Sequence, residues 1–394
     1  MKKEKKEMSK EFTRALAYIA KIHELKPIPN YDRVEHARIK GWWVVVKKGE
    51  FQVGDKAVYF EVDSKVPAKD PRFAFLESKD YKIKTQRMCR VYSQGLALPL
   101  TDFPELRNKK VGSDVTDLLK VTYSLDEDIK RKSKRVVEMA KYIAMEQRRP
   151  KLFGNPWMKK IMKSQTGRDV LFFIFGKKSD IPEDTPKRFP KWIVKTDEER
   201  IENTPFYLES TEKWIKTEKL DGTSCTYAVE RKRHKNYEFI VCSRNVRQAE
   251  ASQYDESNIY WELAKKYKIE TILKEFAINK GYDRVVLQGE GVGLVQGNPY
   301  KLKENELFVF NLIVDGVRLG TMEMAQFCKE NHLKHVPIIS TEYTLPNTME
   351  EIKLEADGYS EINLKVKREG FVYRTADGKN SFKNVSREYL LKHS

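Results

Sequence analysis

Thr217-Glu218-Lys219-Leu220-Asp221-Gly222 decides how the rest of this 394-residue chain is read. The stretch lies just behind the apolar pair Trp214-Ile215 and sets a lysine and a carboxylate on one tight turn. A lysine amine attacks phosphorus only when neutral, so a nucleophile here needs a metal ion or other cations to depress its pKa. Asp221 alone would do the reverse, because a carboxylate that close stabilises the ammonium. The pair makes chemical sense only if the acid is engaged in holding a hydrated divalent ion. Lys-x-Asp-Gly strings also serve as solvated hairpin turns, since Asp-Gly is a common turn dipeptide. The residues downstream separate the two readings.

Ser243-Arg244-Asn245 ends a strand-like run, and Glu290 follows Val285-Val286-Leu287 in the string Leu-Gln-Gly-Glu-Gly. Leu307-Phe308-Val309-Phe310-Asn311 comes next, then Lys365 to Tyr373 with Glu369 between cations, and finally Ser381-Phe382-Lys383 behind a turn at Asp377-Gly378. In this order the set resembles the nucleotidyltransferase motifs of covalent ligases and capping enzymes. Over nearly its whole length the chain is most similar to the ATP-dependent RNA ligases of the Deinococcus/Naegleria type, which carry an OB module ahead of the nucleotidyltransferase domain. The segment Phe189 to Asn203 and the strings Tyr260-Trp261-Glu262-Leu263-Ala264 and Gln296-Gly297-Asn298-Pro299-Tyr300 extend that resemblance. One departure stands out. Many relatives outside this subgroup read Lys-x-Lys in the last motif, whereas Ser381 takes the first position here, leaving open whether Lys379 shares the work of Lys383.

The resemblance implies an α+β fold: an N-terminal OB barrel over residues 1–119, a basic helical connector over 120–188, and a nucleotidyltransferase domain of antiparallel sheets with flanking helices over 189–394. It makes Lys219 the residue that takes AMP from ATP, and Lys383 the cation on the α-phosphate. Asp221, Glu290 and Glu369 become the holders of Mg²⁺ or Mn²⁺, directly or through water. Glu218, Arg244 and Arg200 become nucleotide or phosphate contacts. Period 2 puts Phe308 and Phe310 on one strand face, and the resemblance favours Phe310 for stacking on adenine. The expected activity is sealing of RNA 3′-hydroxyl to 5′-phosphate ends, with repair at nicks as its setting. An mRNA guanylyltransferase or a DNA ligase shares the lysine chemistry but normally places its OB module after the catalytic domain. A non-catalytic RNA-binding protein would not need the full set of acids and lysines.

Charge agrees with a polyanionic partner: 75 Lys and Arg against 58 Asp and Glu give +17, with a pI near 9.4. Residues 120–191 hold 19 Lys/Arg and 9 Asp/Glu, so +10 of the excess is concentrated there. Within it, Lys130, Arg131, Lys132, Lys134 and Arg135 read either as a solvated helix face or as a track for RNA phosphates. The four cysteines lack metal-ligand spacing, which suggests reduced, buried thiols inside a cell. No apolar run reaches the length of a membrane span, so a soluble protein is expected, and nothing implies an oligomer beyond a monomer. Gly289-x-Gly291-x-Gly293 is no dinucleotide loop, because Leu294 replaces the third glycine and no helix pattern opens there.

By pattern, residues 15–92 form several short strands broken by turns, which fits a small barrel without separating an OB from an SH3-like one. Helices are expected over 126–146, 157–163, 249–267 and 322–331.

Overall fold

Alternating apolar residues broken by turn signals build two strand-rich regions joined by helices. The computed structural model describes residues 14–123, 141, 142, 144–177, 180, 189–233, 236–248 and 258–393. The first region contains ten strands: β1 (Ala17–Lys21), β2 (Glu24–Ile28), β3 (Tyr31–Ile39), β4 (Trp42–Lys47), β5 (Lys56–Phe60), β6 (Ser64–Lys65), β7 (Thr85–Met88), β8 (Val91–Gln94), β9 (Leu96–Pro99) and β10 (Thr122–Tyr123). β5 pairs with β1 and β9, and β3 with β2 and β4. Period 2 gives β1 two buried faces. Ala17 and Ile19 pack with Val58, Phe60 and Phe73, while Tyr18 and Ala20 pack with Trp42, Val44 and Tyr59.

The second region begins at β11 (Trp214–Lys219) and continues through β12 (Thr223–Arg231), β13 (Tyr237–Cys242), β14 (Arg284–Val292), β15 (Glu306–Val314), β16 (Val317–Arg318), β17 (Lys334–His335), β18 (Ile338–Tyr343), β19 (Gly370–Thr375) and β20 (Ser381–Val385). One sheet runs β18-β11-β19-β20, and the other runs β13-β12-β14-β15-β16 with β17 beside β15. All these pairings are antiparallel except β15 with β17. On the larger sheet Cys225, Tyr227 and Val229 face a core shared with helices Ile259–Lys266, Ile269–Lys280 and Thr321–Glu330. Ala228, in the alternate register, faces Ile193, Ile240 and Val286 on the other side. Trp214, Phe371, Tyr373 and Phe382 form a separate core for the smaller sheet.

The strand-rich regions meet at residues 200–203. Gly41 N donates to Glu202 O at 2.9 Å, Trp42 Nε1 to Asn203 Oδ1 at 2.6 Å, and Arg200 pairs with Asp63 at 2.9 Å. Between the regions lie the short helices Pro150–Phe153, Pro156–Met162 and Gln165–Phe175. Asn155 and Ser164 cap the second and third of these. The cluster Lys130, Arg131, Lys132, Lys134 and Arg135 lies outside the described residues, as do residues 126–140 and 143 of the helix expected over 126–146, whose other residues are helical, and residues 249–257 of the one expected over 249–267. Among the described residues no helix is long and apolar enough to cross a membrane. Cys225, Cys242 and Cys328 are buried free thiols, whereas Cys89 is only half-buried.

Candidate active site

A cleft of about 770 Å³ opens where the two sheets and the barrel converge, and Lys219, Asp221, Glu290, Glu369, Phe310, Arg244 and Lys383 all line it. Lys219 ends β11, where it pairs across the sheet with Gly370. That register sets the residue before Gly370 beside the lysine, and Lys219 Nζ lies 2.8 Å from the Glu369 carboxylate. Gly370 itself has φ +155°, and a Cβ there would come within 2.1 Å of Asn384 O. The turn after Lys219 is equally tight: a Cβ on Gly222 would meet Gly291 O at 2.5 Å, so β14 and Glu290 approach this closely only because the side chain is missing.

Carboxylates are in excess around Lys219. Burial alone would lower the Lys219 pKa, but Glu369, Glu290 and Asp221 outweigh it and hold the ammonium above the usual lysine range. Burial, reinforced by Glu369 and Asp221 against the opposing pull of Lys219, pushes Glu290 up to about 8. Glu369 is raised too, again chiefly by burial. The Asp221 backbone N–H donates to Tyr300 Oη at 2.7 Å, which fixes the turn. Among the described residues no three His, Cys, Asp or Glu side chains are grouped closely enough to hold an ion directly. Buried carboxylates driven toward the protonated form around an ammonium do fit a hydrated cation, bound through its waters.

A second cluster in the same cleft is built on cations. Lys383, on β20, pairs with Asp197 at 2.5 Å, and Arg244 approaches the same carboxylate at 3.7 Å. Burial lowers the Lys383 pKa, and Arg200 and Arg14 add to this against the opposing pull of Asp197. Asp197, although burial raises it, is held well below the usual carboxylate range by Lys383 and Arg244. Arg200 is buried with its Nε and one terminal nitrogen unpartnered, while the other binds Asp63. The barrel side contributes Arg14, Asp63 and Tyr123 to the lining, and the Tyr123 ring lies 5.3 Å from the Arg244 guanidinium.

Phe308 and Phe310 share one side of β15, as period 2 predicts, since Phe310 packs against the cluster that holds Phe308, but they sit at different depths. Pairing of β14 with β15 skips from Val309 to Asn311, which makes Phe310 the residue at a bulge. Phe310 reaches the cleft. Phe308 instead packs among Leu220, Val292, Tyr300 and Val336 and is absent from the lining. Glu218 is buried on the strand beside Lys219; one carboxylate oxygen accepts from Glu361 N at 2.8 Å and the other has no partner. Burial raises its pKa, which a hydrogen bond from Ser360 opposes. Lys379 does not line the cleft; its side chain is 81% exposed and pairs with Asp377 on the turn. Ser381 is bonded to Glu198, which also binds Arg374 at 2.9 Å and Arg318 at 3.1 Å.

Two family models match the chain, an OB-fold domain over residues 16–100 and RNA ligase over residues 212–390. The Naegleria gruberi RNA ligase with PPi is 31% identical, with a TM-score of 0.73 over 97% of this chain and 99% of that one. The chain belongs to the RNA ligase family. A lysine-to-alanine variant of the Naegleria gruberi ligase with ATP and Mn superposes with a TM-score of 0.72 at 29% identity, covering 96% of this chain and 99% of the other. A glutamate-to-alanine variant with AMP and Mn gives a TM-score of 0.72 at 29% identity over the same shares. No curated protein matches the sequence.

Several residues that shape this ligase's cleft escaped the sequence reading. Asp197 lay inside a stretch recognised only as similar, without a role. Arg14, Asp63 and Tyr123 belong to the barrel, more than 90 residues away from Lys219 in the chain. Arg374, which lines the cleft and donates to Phe310 O at 2.8 Å, follows a strand run where alternation was the only signal.

Proposed function

We propose that this ligase is ATP-dependent and seals RNA 3′-hydroxyl to 5′-phosphate breaks through a lysyl-AMP on Lys219, with nicks as its repair substrate. The observation that carries the reading is the Lys219 ammonium 2.8 Å from Glu369, in a cleft also lined by Asp221, Glu290, Lys383, Arg244 and Arg200. Relatives with ATP and Mn, with AMP and Mn, and with PPi support ATP as co-substrate and Mg²⁺ or Mn²⁺ as cofactor. The expected division is 1–119 for the OB module, 120–188 for the connector and 189–394 for nucleotidyl transfer, with its first boundary moved beyond β10, because Val121 packs in the barrel core and Thr122 and Tyr123 pair with β6.

A divalent ion held through water by Asp221, Glu290 and Glu369 would lower the Lys219 pKa and neutralise charge at the phosphate. Adenine stacks on Phe310, and its exocyclic amine donates to the unpartnered Glu218 oxygen. Lys219 Nζ, having lost its proton, forms a bond to the α-phosphorus as the bond to pyrophosphate breaks. Lys383 turns from Asp197 to the phosphate oxygens, where a cation is worth most as charge develops. Arg200 offers its free N–H groups and Arg244 its guanidinium to the same phosphates. The barrel side, through Arg14, helps to orient the leaving pyrophosphate. AMP then passes from Lys219 to an RNA 5′-phosphate, and a 3′-hydroxyl attacks that phosphate, releasing AMP. Lys130, Arg131, Lys132, Lys134 and Arg135 hold RNA phosphates along the connector.

Incubation with α-labelled ATP, and separately GTP, followed by denaturing electrophoresis tests the first step. ATP-dependent labelling is expected; labelling by GTP alone would replace the reading with a guanylyl transfer. Four nicked duplexes, with RNA or DNA on each side of the break, test the substrate. RNA is required on the 3′-hydroxyl side if 2′-hydroxyl contacts govern selection, and efficient sealing of the all-DNA nick would overturn that.

A further inference from the structure

The connector helices carry a surface that the cleft does not use. Their own small core comprises Met145, Phe153, Met158 and Leu171, with Phe172 and Phe175 packed against it. The Gln165–Phe175 helix is nevertheless apolar on both sides. Val170, Phe173 and Ile174, at i, i+3 and i+4, point away from that core with exposures of 51%, 91% and 59%. A helix that is apolar all round belongs in an interior, so an outward stripe calls for a cover. Trp157, on the neighbouring helix, is 67% exposed.

The charge around these rings selects the cover. Residues 141–177 contain nine Lys/Arg and two Asp/Glu, a net +7. The ion pairs that described residues make within this stretch and to Asp180 use Lys141 and Arg148. Lys159 and Lys160, on the helix that carries Trp157, and Lys163 at its end are exposed and make no ion pair with a described carboxylate. An oily partner protein would leave these cations unmatched, whereas a nucleic acid strand supplies a phosphate for each and a π-face for each ring. Bases stacked inside a duplex hide those faces; a single strand offers them.

We infer that these two helices form a docking platform for single-stranded RNA flanking the join, with bases stacked on Trp157 and Phe173 and phosphates on Lys159, Lys160 and Lys163. The inference rests on the RNA ligase reading and extends it to a site outside the cleft. The full-length protein is measured with an unstructured, uridine-rich RNA of about 20 nucleotides and with ligation substrates carrying long or short single-stranded flanks. Trp157→Ala and Phe173→Ser should each weaken RNA binding about tenfold, and Phe173→Trp should retain it. Replacing Lys159, Lys160 and Lys163 with Gln should lower the slope of log K against log salt by about 0.7 per contact. KM should rise for long-flank substrates alone, with lysyl-AMP formation unchanged. RNA binding that is indifferent to all these changes would overturn the platform. So would a Phe173→Ser variant with unaltered RNA binding that loses self-association, loses affinity for phosphatidylserine vesicles, or melts earlier. These results assign the face to a second copy, a membrane or the chain's own connector. Failure of the ligase reading looks different, since the wild-type protein would then form no lysyl-AMP and seal nothing.

Discussion

Lys219 and Lys383 line one cleft, both from the smaller sheet, yet their surroundings move them in opposite directions. Carboxylates around Lys219 override burial and raise its pKa. Around Lys383, burial with Arg200 and Arg14 overrides Asp197 and lowers it. Carboxylates therefore outnumber cations around Lys219, and cations gather around Lys383. A metal ion and a phosphate are the complementary pair, and a nucleotide bound with its metal supplies both. The difference also shows that desolvation alone does not set the pKa of a buried lysine; the sign of its neighbours does too.

The comparison breaks most plainly at Lys219. Lys219→Ala should abolish labelling by α-labelled ATP, and Lys219→Arg should be as inactive because a guanidinium stays charged. A label surviving on either variant would move the nucleophile elsewhere. Glu290→Gln and Glu369→Gln keep shape and remove charge, and each should slow lysyl-AMP formation about a hundredfold or more with the fold intact. Wild-type rates in both would make these acids structural. Asp197→Asn frees Lys383 and Arg244 from a charged hydrogen-bond partner of about 1.5–3 kcal/mol. Its effect on single-turnover adenylation should be smaller than that of either Gln variant, and an equal loss would erase the distinction between the two clusters.

A pH series sharpens the same contrast. Glu290 has a folded pKa of about 8 against an ordinary 4.5, so the folded state binds its proton more tightly than the unfolded one. Its contribution to stability is full below about pH 4.5 and falls as pH rises toward about 8. In metal-free buffer, thermal melts should show that decline, and Glu290→Gln should flatten it. Adding Mn²⁺ should restore stability most at the alkaline end, where the carboxylate is ionised. The smallest effect belongs to Lys379→Ala, on an exposed turn; a rate change beyond about twofold would return that residue to the site.

Much of the cleft was legible because its residues are short, ordered strings on strands. Lys219-x-Asp221-Gly222, Glu290 between glycines, and Glu369 before Gly370 each carry a spacing that backbone geometry enforces, since a Cβ at Gly222 or Gly370 would collide with a neighbouring strand. Phe308 and Phe310 show where strand logic stops. Alternation assigned both rings one face, and both do pack in one cluster, but only Phe310, at the bulge, also lines the cleft. A bulge is a property of two paired strands, and neither strand announces it alone.

The sequence by itself determined the neighbourhood of Lys219, the basic balance of the connector and the alternation of strands, because these depend on residue type at short spacing. The tertiary structure decided which charges meet. Asp197 finds Lys383 186 positions later, and Arg200 finds Asp63 137 positions earlier. The barrel brings Arg14 and Tyr123 to a cleft whose acids come from two different sheets. Electrostatics falls off with distance in space, while a sequence records only distance along the chain, so the pairing of the two clusters could be read only once the chain had folded.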